Sequence, residues 1–476
     1  MKPSQQHIND HSAKLEDFFM TRRQLLQRAG MGFGAMSLAA LEGMNFLPGT
    51  SAYAEKSLSP LAPKQPHFPV KAQRVIHIFA QGAPSHVDTW DPKPLLKQRH
   101  GESDPNVGGA DRTLMGSPFD FKPTGRSGLP ISEVFPNIGK HADVIAVIRS
   151  MNTNIPSHEV ATVMMNTGSL RIIKPSLGSW VVYGLGSENQ NLPGFISLRP
   201  GGNPPGASKN WNSAFLPGVY SGSSINTSLT RIEDMIANIR SPYTTIAEQR
   251  RQLDLIHKLN FKHSQNLQKE VQLESRLEAY EMAFKMQTEA TDAFDISKEP
   301  ENIRQRYGNS RQGRQMLIAR RLLEKGVRFV QVWAGGWDHH NNLEQSLRGR
   351  ASEIDGPAGA LMQDLKDRGM MDSTLVMWGG EFGRTVHSGN NGNGRDHSSG
   401  GFCSWLAGGG VKGGQAYGAT DEFGHRAVEN KVHIHDLHAT IMALMGFDHE
   451  KLTYRYNGRD FRLTDNFGNV VKDIIA

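Results

Sequence analysis

Apolar residues cluster in short runs that alternate with longer amphipathic stretches. "RVIHIFA" (74–80) is an almost unbroken apolar run rich in β-branched residues, and it predicts a buried strand. "DVIAVIR" (143–149), "VRFVQVWA" (327–334) and "STLVMWGG" (373–380) have the same character. Between them lie segments with helical spacing. "RQGRQMLIARRLLEKG" (311–326) ends on Gly326, "GALMQDLKDRGMMD" spans 359–372, and "HIHDLHATIMALMGF" (433–447) has Asp436 as its expected N-cap. "SMNTNIPSHEVATVMMNTGS" reads as a loop feeding a helix, with Ser157 as N-cap and His158 and Glu159 in the first turn. Residues 243–290 are charged and free of Gly and Pro. Leu253, Ile256, Leu259, Leu267, Val271 and Leu277 recur near helical spacing, which predicts one long helix or a helical pair without sustained heptads. Residues 185–228, rich in Gly, Pro, Asn and Ser, read as long surface loops.

Strand, loop, helix, strand therefore recurs over most of the chain. This predicts an α/β fold: a doubly wound, mostly parallel sheet with helices on both faces and a long helical insertion at about 243–325. In such sheets ligands bind at the C-terminal ends of the strands, where the polar motifs of this chain fall.

The N-terminus carries a different pattern. Arg22 and Arg23 precede Leu25, Leu26 and a weakly hydrophobic Gly/Ala-rich segment that ends in Ala-Tyr-Ala at 52–54. Residues 1–54 read as a twin-arginine signal peptide, and 55–73 as a flexible lead-in to a domain covering 74–476. The expected location is periplasmic or secreted, with the twin-arginine export machinery as a partner. Glu42 and the glycines argue against a permanent membrane helix.

Composition narrows the chemistry. Of 476 residues, 37% are hydrophobic and 21% charged, which indicates a globular chain. Net charge is +6 with the basic residues scattered, so nothing points to nucleic acid. The single cysteine, Cys403, excludes an internal disulfide and a cysteine-based zinc site; in the apolar run "GFCSWLAGGG" it reads as a buried thiol. The 19 histidines, by contrast, gather beside acids. "SHVDTWD" offers His86, Asp88 and Asp91; "GGWDHHNN" offers Asp338, His339 and His340; Glu381 follows a strand, and "GRDH" offers Asp396 and His397. Imidazole with carboxylate suits zinc, manganese or iron. Arg384 and Arg395 have the forked geometry that binds phosphate or sulfate, and the surrounding glycines admit close backbone approach to an anion.

"GAPSHVDTWDPKP", "WDHHNN", "TLVMWGGEFGRT", "NGRDH", "LAGGGVKGG", "YGATDEFG" and "DLHATIMALMGFDH" occur in this order. Together they resemble domain-of-unknown-function family 1501, from about residue 74 to the C-terminus. The resemblance implies an alkaline phosphatase-like fold, related to sulfatases, and a two-metal site for phosphate or sulfate esters. It implies that Asp338, His340 and His397 hold one divalent ion, with zinc or manganese expected. For the second ion the superfamily's "DHG" reads Glu381-Phe382-Gly383, and the acid expected after the first strand reads Gln81-Gly82, leaving Glu381 with His86 or Asp88 as substitutes. Asn154 stands where a sulfatase nucleophile belongs, with the hydroxyls of Thr153 and Ser157 nearby. Without a covalent intermediate, metal-activated water is the alternative attacker, and His158 is then a ligand or a proton shuttle.

The expected function is an exported metal-dependent hydrolase of small or polymeric anionic esters. Arg384 or Arg395 would neutralise the developing oxyanion, and Ser157 and His158 would serve the chemistry. Asn154 and Phe382 favour an alternative, an inactive protein of the same fold that binds anionic polysaccharide or a protein partner. A scaffold with no ligand leaves the acid/His clusters unexplained.

Overall fold

A computed structural model describes residues 59–106, 112–236, 243–266, 271–389 and 392–476. The expected signal peptide lies outside the described residues. The centre of the fold is a nine-stranded sheet. Its strands are β1 (Arg74–Phe79), β2 (Ile145–Asn152), β3 (Phe195–Arg199), β4 (Ser223–Asn226), β5 (Phe329–Trp333), β6 (Thr374–Gly379), β7 (Phe402–Ala407), β8 (Gln415–Tyr417) and β9 (Val432–His433). The order is β8-β2-β7-β6-β1-β5-β3-β4, with β9 also against β2. β7 runs antiparallel to both β2 and β6; the other pairings are parallel.

The apolar runs are continuous because both faces of the sheet are covered. Along β1, Ile76 and Ile78 face one core, with Met316 and Leu317 of α5 (Arg311–Glu324) and Leu347 and Leu361 of α6 (Leu343–Asp367). Val75 and Phe79 face the other, with Trp180 of α2 (Leu177–Leu185) and Leu437 and Ile441 of α7 (Ile434–Leu444). The expected arrangement of a mostly parallel sheet between two helical layers is therefore present. The charged stretch forms two helices, α3 (Ile246–Asn266) and α4 (Val271–Phe294). Among the described residues no helix is long and apolar enough to cross a membrane.

Three local expectations change. The region 185–228 is not only loop, since it supplies β3 and β4. β3 is short but its apolar residues are fully buried, and the Gly/Pro-rich flanks mask a five-residue strand. The helix expected at 359–372 begins sixteen residues earlier, at Leu343, and ends at Asp367; Gly349 and Pro357 lie inside it and resemble breaks in the sequence. Asp436 is not the N-cap of α7. His433 is, and Asp436 accepts from the His433 backbone N–H at 2.8 Å, closing a capping box.

A buried charge network joins the helical insertion to the core. Arg320 of α5 is fully buried and lies 2.6 Å from Glu299, 2.5 Å from Glu324 and 2.9 Å from Asp364. Tyr307 donates its hydroxyl to Asp364 at 3.0 Å. Removing one member of such a set leaves buried charge without its partner. Arg320→Ala is expected to cost about 3–5 kcal/mol of stability, read from denaturant midpoints; Arg320→Met is expected to cost nearly as much, because the stranded acids remain.

Candidate metal centre

Register brings the motifs together. Phe79, the last residue of β1, pairs with Trp333 at the end of β5 and with Gly379 at the end of β6. The three following loops leave the sheet at one edge, carrying Gly82 and Ala83, Asp338 with His339 and His340, and Glu381. β2 ends beside them and leads through Thr153 and Asn154 to α1 (His158–Thr167), whose first residue is His158. A short antiparallel ribbon pairs Arg384 with His397.

Gly82 is required for this packing. Its φ is +108°, and a Cβ there would stand 2.7 Å from the Asp338 backbone nitrogen. The next residue, Ala83, also has positive φ, at 61°. Arg384 donates to both of their carbonyls, from Nη2 to Gly82 at 2.6 Å and from Nε to Ala83 at 2.9 Å, which holds the loop in this shape.

Three imidazoles surround the Asp338 carboxylate. His340 Nε2 lies 3.0 Å and His397 Nε2 3.3 Å from Oδ1, and His158 Nε2 lies 3.3 Å from Oδ2. In each ring the other nitrogen is tied outward. His158 Nδ1 donates to Glu381 at 2.7 Å, His340 Nδ1 to Asp396 at 2.9 Å, and His397 Nδ1 to the Pro156 carbonyl at 3.0 Å. This fixes which nitrogen faces the centre, as the outer partners of metal-bound histidines do. Ligand atoms of His158, Asp338 and His397 all lie within 4.8 Å of one another.

These donors fit a divalent cation. Protonating all three rings would place three imidazolium charges and the Arg384 guanidinium around one carboxylate. Leaving the rings neutral would aim three lone pairs at its oxygens, with the Nε2 atoms of His340 and His397 only 3.0 Å apart. A divalent cation among them takes the lone pairs of the neutral rings; without one, a proton on His158 between Asp338 and Glu381 serves in its place. Nitrogen with one carboxylate matches zinc, manganese or iron chemistry.

Titration follows the same geometry. Burial alone would lower the His158 pKa, but its contacts with Asp338 and Glu381 outweigh burial and hold it at about 9. Burial would raise the Asp338 carboxyl, yet hydrogen bonds from His158, His397 and Arg384 keep it well below the usual carboxylate range. His339, one residue away, is pushed down to about 4, mainly by burial.

Not every expected site residue is in this cluster. Asp88 and Arg395 are both fully buried and paired with each other, Nε to Oδ2 at 2.6 Å and Nη2 to Oδ1 at 3.1 Å. Arg395 also donates to the carbonyls of Thr385, Val386 and Met115. The pair is a strut behind the site: Asp88, which also accepts from Ser85 Oγ, neutralises Arg395 and is not among the residues that converge on Asp338. His86 is buried with Nε2 donating to the Gly424 carbonyl at 2.7 Å, and burial lowers its pKa. Asp91 pairs with Lys93 at 3.2 Å. Glu381 is fully buried and stands behind His158; its Oε1 accepts from His158 and from the Gly82 N–H at 2.9 Å, and its Oε2 has no partner among the described residues. Phe382, also fully buried, packs against the rings of His158 and His397 at 4.9 and 4.8 Å and closes the floor of the site.

Arg384 is at the site but is not free. Nη1 donates to the Arg395 carbonyl at 3.1 Å and faces His340 Nε2 at 3.4 Å, while Nη2 also donates to Asp338. With the two carbonyls of the β1 loop, all five of its donors are engaged. Ser157 is exposed at the start of α1 and makes no side-chain cap. Asn154 Oδ1 accepts from His433 Nε2 at 2.8 Å. Glu381→Gln removes the charge that orients His158. It is expected to weaken divalent-ion affinity about 10–100-fold, measured by competition with a chromophoric chelator.

Residues 72–475 match the family described as "Protein of unknown function (DUF1501)". The chain belongs to the DUF1501 family. No curated protein matches it. Solved structures similar to this DUF1501 chain include the PsFucS1 sulfatase from Pseudoalteromonas sp., at 14% identity over 80% of this chain and 68% of that one, TM-score 0.35. They also include the C-terminal periplasmic domain of EcEptC from Escherichia coli in complex with Zn, at 8% identity over 87% and 99%, TM-score 0.36. The alkaline phosphatase of the Antarctic bacterium TAB5 matches at 9% identity over 73% and 95%, TM-score 0.31.

Proposed function

We propose that this DUF1501 chain is an exported metal-dependent hydrolase of phosphate or sulfate esters. The observation that carries the reading is the convergence of three outward-tethered imidazoles on Asp338 at the C-terminal edge of the sheet. Asp338, His158 and His397 would hold the ion, with His340 beside them, and zinc or manganese suits the donor set. A bound divalent ion supplies Lewis-acid polarisation of an ester oxygen. The chain's own residues do the rest. Glu381 orients His158, Asp396 orients His340, and Phe382 keeps water from the floor of the cluster. Ser157, exposed and next to His158 in the chain, would be the hydroxyl that serves the chemistry on a small or polymeric anionic ester. The paired arginines of the leader support export to the periplasm or beyond through the twin-arginine machinery.

One observation favours a second reading, an inactive protein that binds anionic polysaccharide or a protein partner. Arg384 and Arg395 have their donors engaged within the protein, so neither meets an oxyanion as placed. Aryl phosphate and aryl sulfate turnover with added zinc or manganese separates the two. A hydrolase turns over one of them, and His397→Ala does not. Ion binding without turnover of either ester class supports the binder.

A further inference from the structure

The family resemblance implies two metal ions, but this site holds residues for one. Asp338 is the carboxylate shared by the cluster, and its two oxygens face different neighbours. Oδ2 faces His158 Nε2, while Oδ1 accepts from Arg384 Nη2 and also faces the Nε2 atoms of His340 and His397. The Arg384 side chain is almost fully buried and fixed by carbonyls on two loops, so its charge cannot swing away. An arginine guanidinium keeps its charge at neutral pH.

A second ion would need more anionic donors, and most carboxylate oxygens nearby are engaged. Asp88 is paired with Arg395, Asp396 Oδ1 with His340 Nδ1, and Glu381 Oε1 with His158 and the Gly82 N–H, while Glu381 Oε2 is buried without a partner among the described residues. Phe382 offers no donor atom. A second dication beside Oδ1 would also lie against a fixed guanidinium within a partly desolvated site, where like charges repel strongly.

We infer that Arg384 is a built-in second cation, and that the Asp338 cluster takes a single divalent ion. The inference rests on the metal-site reading above. In this arrangement the guanidinium permanently balances part of the Asp338 charge from the Oδ1 side.

The test is metal stoichiometry. The full chain is incubated with excess zinc or, separately, manganese, freed of unbound ion by gel filtration, and analysed by mass spectrometry of metal and protein. One equivalent per chain is the expected result. Two equivalents would overturn the inference while leaving the hydrolase reading intact. None would overturn the metal site and the inference with it. Arg384→Met, checked for a native melting transition, removes the charge from Oδ1 and from His340 Nε2. Under the same excess ion its count is expected to rise above one, and a count that stays at one would show that Arg384 is not what limits the site. If that variant does not fold, the wild-type count still decides.

Discussion

His397→Ala is expected to weaken divalent-ion binding by more than about 100-fold, since an outer partner alone is worth roughly 10–100-fold. The ring offers one of the candidate ligand atoms, its Nε2 faces Asp338, and its side chain is about three-quarters buried among His158, His340 and Phe382. The change should spare the surrounding fold, because on its outer side the ring bonds to the Pro156 carbonyl and strands no buried charge when it is removed. Asp338→Asn should be as damaging to binding but harder on the fold, since it strips the counter-charge from buried Arg384. The most direct measurement is thermal stability with and without zinc or manganese. An ion present at 100 times its Kd adds about 2.7 kcal/mol to the folded state. That gain should appear in the wild type and vanish in both variants. Equal stabilisation of all three proteins would place the ion elsewhere.

Much of this site is legible in the sequence. "GGWDHHNN" and "GRDH" name three of the four residues at its centre, and the strand–loop pattern places them at one sheet edge. His158 is legible only as a nearby helix-start residue, because its approach to Asp338 depends on β2 reaching the same sheet edge as β5 and β6 with β7 lying between β2 and β6, a long-range arrangement. The outer partners are less visible still, since a carbonyl such as that of Pro156 leaves no mark on a sequence. Asp88 and Arg395 mislead for a physical reason. Residue type shows that a carboxylate and a guanidinium exist, but not that each is used to neutralise the other across 307 positions. The reversed strand β7 is also hidden, because a fully buried antiparallel strand between parallel ones has the same unbroken apolar pattern.

The second large effect lies away from the candidate metal centre. Folding stability is expected to fall steeply in mild acid, driven by two histidines in the core. His77 of β1 and His438 of α7 are almost completely buried, and both are held at a pKa of about 3, chiefly by burial. His77 packs among Phe79 and Phe329, and neither of its nitrogens has a partner among the described residues; His438 has one, the Met165 carbonyl at 2.8 Å. The ordinary histidine value is 6.5. Above that pH neither the folded nor the unfolded chain binds these protons, so stability is flat. Below it the unfolded chain takes up two protons that the folded chain refuses until about pH 3, and stability drops as pH falls. At about 1.4 kcal/mol per proton and pH unit, the pair would cost about 4 kcal/mol between pH 6.5 and pH 5. Against a total of about 5–15 kcal/mol for a folded domain, that is a large share. His77→Met keeps an apolar side chain in the same cavity and removes one of the two titrations. It should remove about 2 kcal/mol of the loss at pH 5 while changing little at pH 8, as read from urea midpoints at the two values. Parallel loss in wild type and variant would mean that the acid sensitivity arises from other groups, with the paired carboxylates of the Arg320 network the first to test.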